Sequence, residues 1–282
     1  MSTSLPFTTQ RDPAALRRPP ADAAVWRYMD MATFMAFVEQ RSLFFGSACK
    51  LNDRNEGRSG RDTVRAVHGA LRQLSEPGLA SGPREDLLPG AAGLAETVRE
   101  CLTEISRGDA LRDIVSRFVY LNSWHMASLE NIVMWQACHP TGFAVCVKST
   151  FARLEETLRN NRERYPTLCF EVQYTDDEAG EADNYLLHFA RKPPQFAAEA
   201  EVRALVDLFE GVCLSGERRD LLLQLIKQGG VSMPVDVYAL VDEVVLHPFA
   251  PSWFTSVVET YVRRVMGRDV PVTRSSVRVH KA

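Results

Sequence analysis

No CxxC pair occurs in this 282-residue sequence, and its six cysteines, Cys49, Cys101, Cys138, Cys146, Cys169 and Cys213, are scattered mostly inside apolar runs. That spacing argues against a structural zinc site or a disulfide frame and for reduced, buried thiols. No apolar stretch approaches the roughly 18 residues that a membrane span needs. The opening MSTSLPFTTQRDPAALRRPP has no apolar segment bounded by a cleavage site, so it does not read as a secretory signal. A cytoplasmic location without membrane attachment is the resulting expectation. A glycine-rich phosphate loop, a GxGxxG turn after a strand, an HExxH helix and a GxSxG elbow are all missing. Their absence argues against P-loop hydrolysis, an ordinary dinucleotide fold and zincin chemistry. The six histidines, His68, His125, His139, His188, His247 and His280, lack metal-ligand spacing, and no metal is expected. A net charge of −3 supplies no general drive towards nucleic acid, which is a less favoured partner. Charge is uneven locally: residues 251–282 hold six basic and two acidic side chains, and residues 170–183 hold six acidic and no basic ones.

What is present is an ordinary globular balance of 45% hydrophobic and 24% charged residues, enough to build a sizeable core without staples. The densest run of apolar and site-type residues is FVYLNSWHMASLENIVMWQACHPTGFAVCV, residues 118–147. It reads as strand, helix, strand. Phe118 to Leu121 is β-branched and aromatic; Leu129, Ile132, Val133 and Trp135 give a helix one apolar face; Pro140 and Gly142 end it. Phe143 to Val147 suits the middle of a covered sheet. This arrangement places Asn122, Ser123, Trp124 and His125 beyond one strand end, where α/β folds tend to bind ligands, although a turn and helix cap would use the same residues.

The wider pattern predicts an α+β (mixed α/β) fold: a single central, partly antiparallel sheet flanked by helices. Residues 1–24 read as a disordered arm, 25–282 as one domain, and 58–117 as a helical insertion. Strands are expected at Val25 to Met29, Ser42 to Gly46, Cys169 to Tyr174, Val202 to Val206, Val241 to Leu246 and Val270 to Arg274. Helices are expected at Met31 to Gln40, Phe151 to Arg164, Glu217 to Lys227 and Pro251 to Met266.

Three polar groups on or beside these strands carry chemistry. In Trp26-Arg27-Tyr28, alternation sends Arg27 away from its aromatic neighbours, so that it must reach a pocket or a buried carboxylate. Ser123-Trp124-His125 is the second group. In Glu199-Ala200-Glu201-Val202-Arg203, period two puts Glu199, Glu201 and Arg203 on one extended face, a pattern also common on solvent-exposed edges. Two readings outside NAD chemistry fit these residues. One is a non-catalytic ligand- or protein-binding module, with the LNDRNEG loop, Trp124 and Trp135 lining its surface. The other is a metal-dependent nuclease-type effector, with Asp53, Glu56, Glu199 and Glu201 around a divalent ion.

WRYMD, RSLFF, KLNDRNEG, NSWHM, FEVQY, KPPQFAAEAEVRAL and VVLHPFAPSWF follow one another in an order that resembles the bacterial family of unknown function numbered 2971, over about residues 25–275. Arg54-Asn55 and Gln136-Ala137-Cys138 depart from that family's pattern. An arginine on a first strand, a serine on a middle strand and E-x-E on a later one is similar to ADP-ribosyltransferases of the arginine, serine, glutamate type. That resemblance implies NAD as cofactor, a small-molecule nucleotide or protein acceptor, and an NAD-dependent transferase or NAD-cleaving effector. It implies Arg27 as the phosphate or ribose clamp, Ser123 beside the nicotinamide ribose and Glu201 on the ribose 2′-hydroxyl and the cationic sugar. It further implies Tyr28 or Trp124 on the nicotinamide ring and Glu199 facing the acceptor; His125, set apart from the other histidines by its position, is the remaining cofactor-binding candidate.

Overall fold

The computed structural model describes residues 12–48, 116, 119–138, 141–161, 165–176, 184, 186–208, 230–266 and 270–277. The insertion expected over 58–117 and the helix expected at Glu217 to Lys227 lie outside them, apart from residue 116.

The first unit follows directly from its sequence. β1 (Ala24–Asp30) runs into α1 (Met31–Gln40), whose first turn is capped by the Asp30 carboxylate accepting from Thr33 N at 2.6 Å. Phe34, Phe37 and Val38, spaced for one helical face, are buried, and Arg41 ends the helix in the left-handed region at φ 47°. β2 (Ser42–Ser47) follows. β3 (Val119–Met126), α2 (Ile132–Cys138), β4 (Ala144–Thr150) and α3 (Phe151–Arg159) come next, with Thr150 capping α3. β5 (Thr167–Glu171), β6 (Gln173–Tyr174), α4 (Leu187–Ala190) and β7 (Arg191–Lys192) lead to a 3-10 turn at Pro194–Glu199 and to β8 (Glu201–Asp207). The described chain ends with β9 (Gly230–Pro234), α5 (Val237–Leu240), β10 (Glu243–Leu246), α6 (Ser252–Met266) and β11 (Val272–Arg274).

These strands form one large, mostly antiparallel sheet, with β10 and β11 as its parallel pair; β6 and β7 pair separately. The α+β expectation holds. One face of the sheet carries the main core, packed by α1, α3 and α6. In α6 the buried Phe254, Val258, Val262 and Met266 recur every four residues, each contributing roughly 1.5–3 kcal/mol on full burial. The opposite face carries a smaller cluster in which Trp135 of α2 packs against Trp26, Ala144, Cys146 and Val245.

The sheet forks at β3. One edge of β3 pairs with β8 along its whole length. Its other edge is shared: β2 takes Tyr120 and Leu121, and β1 takes His125 and Met126. The gap between the two branches is closed by side chains. Arg27 Nη1 donates to Asn122 Oδ1 at 2.9 Å and to Ser123 O at 2.8 Å; Asn122 Nδ2 donates to Phe44 O at 2.8 Å; Trp124 Nε1 donates to Asn122 Oδ1 at 2.8 Å. Backbone and side-chain groups at the fork are thereby satisfied without a continuous ladder.

Several expectations need correction. Asn122, Ser123, Trp124 and His125 are not beyond a strand end; they lie within β3, because β8 supplies a continuous ladder from Val119 to His125. The segment before β8 is a 3-10 turn started by Pro193-Pro194, not an extended approach, so Glu199 does not share a strand face with Glu201 and Arg203. β8 is no solvent-exposed edge: it sits between β3 and β5 and is buried throughout. Residues 12–23, expected within an arm, make specific contacts. Glu171 N donates to Arg17 O, Arg18 pairs with Glu155 at 2.7 Å, and the first amides of α3 donate to Ala23 O and Ala21 O. No helix of the described residues is long and apolar enough to cross a membrane.

Candidate functional site

A cleft of about 450 Å³ opens on the sheet face opposite the main core. Its floor comes from β1, β3 and β8, one wall from α2 (Val133, Met134, Ala137) and the other from Lys192 and the 3-10 turn (Gln195, Phe196, Ala198, Glu199). Strand alternation selects the floor. On β1 the even positions Trp26 and Tyr28 face the cleft; on β3 Ser123 and His125 do so; on β8 Glu201 and Arg203 do so. Cross-strand register lines them up, with Trp26 opposite His125, His125 opposite Glu201, and Ser123 opposite Arg203.

Glu201 is the electrostatic centre. Its carboxylate accepts a bidentate pair from Arg203, Nε to Oε1 at 2.8 Å and Nη2 to Oε2 at 2.9 Å, and Lys192 Nζ lies 3.0 Å from Oε2. Glu201 is 5% and Arg203 1% exposed, and Arg203 Nη1 also donates to Phe189 O. Burial alone would raise the Glu201 carboxyl. The Arg203 guanidinium, the Lys192 ammonium and the hydrogen-bonded Ser123 hydroxyl overcome that effect and hold it at about 2. A carboxyl in this state cannot serve as an acid near neutrality. It remains a fixed negative charge in a partly enclosed site.

Lys192 links Glu201 to Glu199, with Nζ to Glu199 Oε2 at 2.6 Å. Glu199 is half-exposed at the rim, and its backbone carbonyl lies 2.6 Å from His125 Nδ1. Since a carbonyl can only accept, Nδ1 carries the proton and Nε2 the lone pair. Burial lowers the pKa of His125, against the smaller opposing effect of the Glu199 carbonyl. His125 Nε2 is buried without a hydrogen-bond partner among the described residues. The turn is pinned further by Met126 N donating to Ala200 O at 2.7 Å and by the Tyr174 hydroxyl accepting from Glu201 N at 2.8 Å. Burial, first among the causes, pushes Tyr174 up to about 12, so its hydroxyl stays protonated.

The expected site residues divide between the two faces. Ser123, His125, Glu199, Glu201 and Tyr28 come together in the cleft. Tyr28 is committed as well: its hydroxyl accepts from Asn131 N and its ring meets Trp135 edge-on at 4.8 Å. Trp124 borders the cleft, yet its indole is 2% exposed and belongs to the main core, with the Arg27 guanidinium 5.9 Å from its ring centre. Arg27 lies outside the cleft lining and serves the fork, where its Nη1 donates to Asn122 Oδ1 and to the open carbonyl of Ser123. The physical reason is the alternation itself, since Arg27 shares a face with the core residues Val25 and Met29.

Lys192 and Phe196 line the cleft and are not among the residues singled out from the sequence. The Lys192 ammonium sits 5.4 Å from the Phe196 ring centre and 3.0 Å from Glu201 Oε2, and the 3-10 turn that follows Pro193 places Phe196 in the cleft wall. A lysine followed by two prolines shortly before E-x-E was the available signal. For the nuclease reading, Asp53 and Glu56 fall outside the described residues, as does the LNDRNEG loop. Glu199 and Glu201 are bound to cations, and among the described residues no group of three or more His, Cys, Asp or Glu could hold a metal.

No family model matches the chain, the family numbered 2971 included, so that resemblance is not carried forward. No curated protein matches it either. Among solved structures, Thermus sp. 2.9 DarT matches in complexes with ADP-ribosylated ssDNA, with carba-NAD+ and with NAD+, in each case at 8% identity and a TM-score of 0.36. The matches cover 92%, 91% and 90% of this chain and 97%, 97% and 96% of DarT. A likeness of that size fixes neither fold nor chemistry, and the functional reading rests on the cleft.

Proposed function

We propose that the cleft binds the nicotinamide-ribose half of NAD and that the protein is an ADP-ribosyltransferase-like or NAD-cleaving enzyme. The single observation that carries this reading is Glu201: a buried carboxylate, kept ionised by Arg203 and Lys192, beside Ser123 on an aromatic-lined floor. Cleavage of the nicotinamide–ribose bond leaves its electron pair on nicotinamide and positive charge on the sugar carbon. A preplaced negative charge in a water-poor site stabilises that charge where it develops. Trp26, Tyr28 and Phe196 supply apolar surface for a planar ring, and about 450 Å³ accommodates one ring and its ribose. Ser123, exposed towards the cleft, would orient a ribose hydroxyl. Glu199, at the rim, would meet the acceptor, which is a water, a small nucleotide or a protein side chain. Arg27 would act indirectly in this reading, by holding β1 and β3 in register.

One observation favours a second reading, binding without turnover: the bidentate Arg203 pair and Lys192 occupy both carboxylate oxygens of Glu201. The deciding experiment follows nicotinamide release from NAD by the wild type, Ser123→Ala and Glu201→Gln, with thermal protection by NAD measured on the same samples. Release that is lost in a folded Glu201→Gln variant still protected by NAD supports the enzyme. Protection without release in the wild type selects the binding module. Neither release nor protection in the wild type removes NAD from consideration.

A further inference from the structure

Lys192 joins two carboxylates that belong to different parts of the chain. Glu199 closes the 3-10 turn, Glu201 opens β8, and Ala200 between them sits in the left-handed region at φ 38°, so the two side chains diverge along the backbone. They nevertheless approach one point, because Lys192 Nζ lies 2.6 Å from Glu199 Oε2 and 3.0 Å from Glu201 Oε2. The lysine itself is fixed. Its backbone is paired with Tyr174 in the β6–β7 ladder, Pro193 restricts the residue before it, and its side chain is 10% exposed with the Phe196 ring beside it. Arg203 cannot substitute: its guanidinium is held in the cleft floor by Glu201 and by Phe189 O.

We propose that Lys192 is the positioning residue of this cleft, tying the rim carboxylate Glu199 to the floor carboxylate Glu201 so that both face one bound sugar. This rests on the reading given above. Two carboxylates left without a shared cation repel one another, and Glu199, half-exposed, is the one free to swing into solvent. The shared ammonium removes that repulsion at the cleft mouth while leaving the Ser123 side of Glu201 accessible. The groups facing Glu201 are Arg203 on its own strand, Lys192 on β7, Tyr174 on β6, Glu199 on the turn, and Ser123 and His125 on β3.

The test uses the full chain. In the wild type, cross-hydrogen-bond NMR correlations from Lys192 Nζ to the side-chain carboxyl carbons of both Glu199 and Glu201 are expected; correlation to one alone, or to neither, overturns the proposal. Carboxyl-carbon titration then compares Lys192→Met and Lys192→Arg. The Glu201 carboxyl should protonate at higher pH in Lys192→Met and near the wild-type position in Lys192→Arg. An unmoved Glu201 in a folded Lys192→Met protein refutes the link, since a lysine that merely staples the turn changes stability and leaves that titration alone. With NAD, Lys192→Met should lower kcat for nicotinamide release by about tenfold or more with little change in KM, and Lys192→Arg should restore it. If the wild type releases no nicotinamide, the functional reading falls while both NMR measurements still decide the role of Lys192.

Discussion

Glu201→Gln has an effect on the fold as well as on the cleft, and the size of that effect follows from the structure. The substitution keeps the side-chain outline and removes the charge that pairs with Arg203, itself 1% exposed. Lowering a carboxyl from 4.5 to about 2 corresponds to about 3 kcal/mol of preference for the ionised form in the folded state. Breaking one side of a buried pair costs about 3–5 kcal/mol in comparable cases, so the two routes agree. The sign is set by the depressed folded pKa. Above about pH 4.5 the unfolded chain is also ionised and the full stabilisation is present; as pH falls from there towards about 2, the unfolded chain takes up the proton first and the stabilisation is lost. Equilibrium urea unfolding across pH 7 to 2.5 reads this directly. The wild type should lose stability more steeply in the acid window, and Glu201→Gln should be weaker by about 3 kcal/mol at neutrality and converge with the wild type as the pH falls. Adding Arg203→Met to Glu201→Gln should return part of the loss, because no lone charge is then buried. Parallel wild-type and Glu201→Gln curves at all pH values would refute the ion-pair account.

Other perturbations address other parts of the molecule. Asn122→Ala removes one partner of Arg27 together with the partners of Trp124 Nε1 and Phe44 O, and should cost about 2–4 kcal/mol in chemical unfolding; a loss within experimental error would mean that the fork needs no side-chain closure. Ala200→Gly relieves a left-handed backbone and should raise stability by up to about 1 kcal/mol, seen as an increase in Tm. His188 is held down at about 4, first by burial and then by Arg191. Its unfolded form binds the proton first as pH falls below 6.5, so stability should drop from there towards about 4, and a His188→Leu variant should show a flatter profile in that window.

The parts of the fold set by local pattern could be read from the sequence. Met31 to Gln40 is a helix because Phe34, Phe37 and Val38 fall on one side and Asp30 caps it, and both facts are visible in the chain. β1, β2 and the long C-terminal helix follow in the same way. Ser123 and Glu201 are paired only through the resemblance to the arginine, serine, glutamate pattern, and the structure brings both to the same cleft. Trp124 borders the cleft from the core side and Arg27 lies outside its lining for a common reason. Alternation tells which residues share a face, but only the packing of α1, α3 and α6 decides which face becomes the core. The continuity of β3 through Asn122 to His125 depends on β8, far along the chain, and no local signal carries that pairing. Lys192 escaped notice because Pro193-Pro194 read only as a breaker; its importance comes from the direction in which the turn brings Glu199 back.

Glu199, Lys192, Glu201 and Arg203 form a continuous chain of ion pairs that carries two negative and two positive charges. A balanced group of this kind casts almost no field beyond its own diameter, so it does not draw a charged dinucleotide in from bulk water. Capture then depends on chance encounter followed by short-range fit. The association rate should therefore stay in the ordinary range for uncharged partners and vary little with ionic strength, while discrimination among ligands falls to the dissociation step.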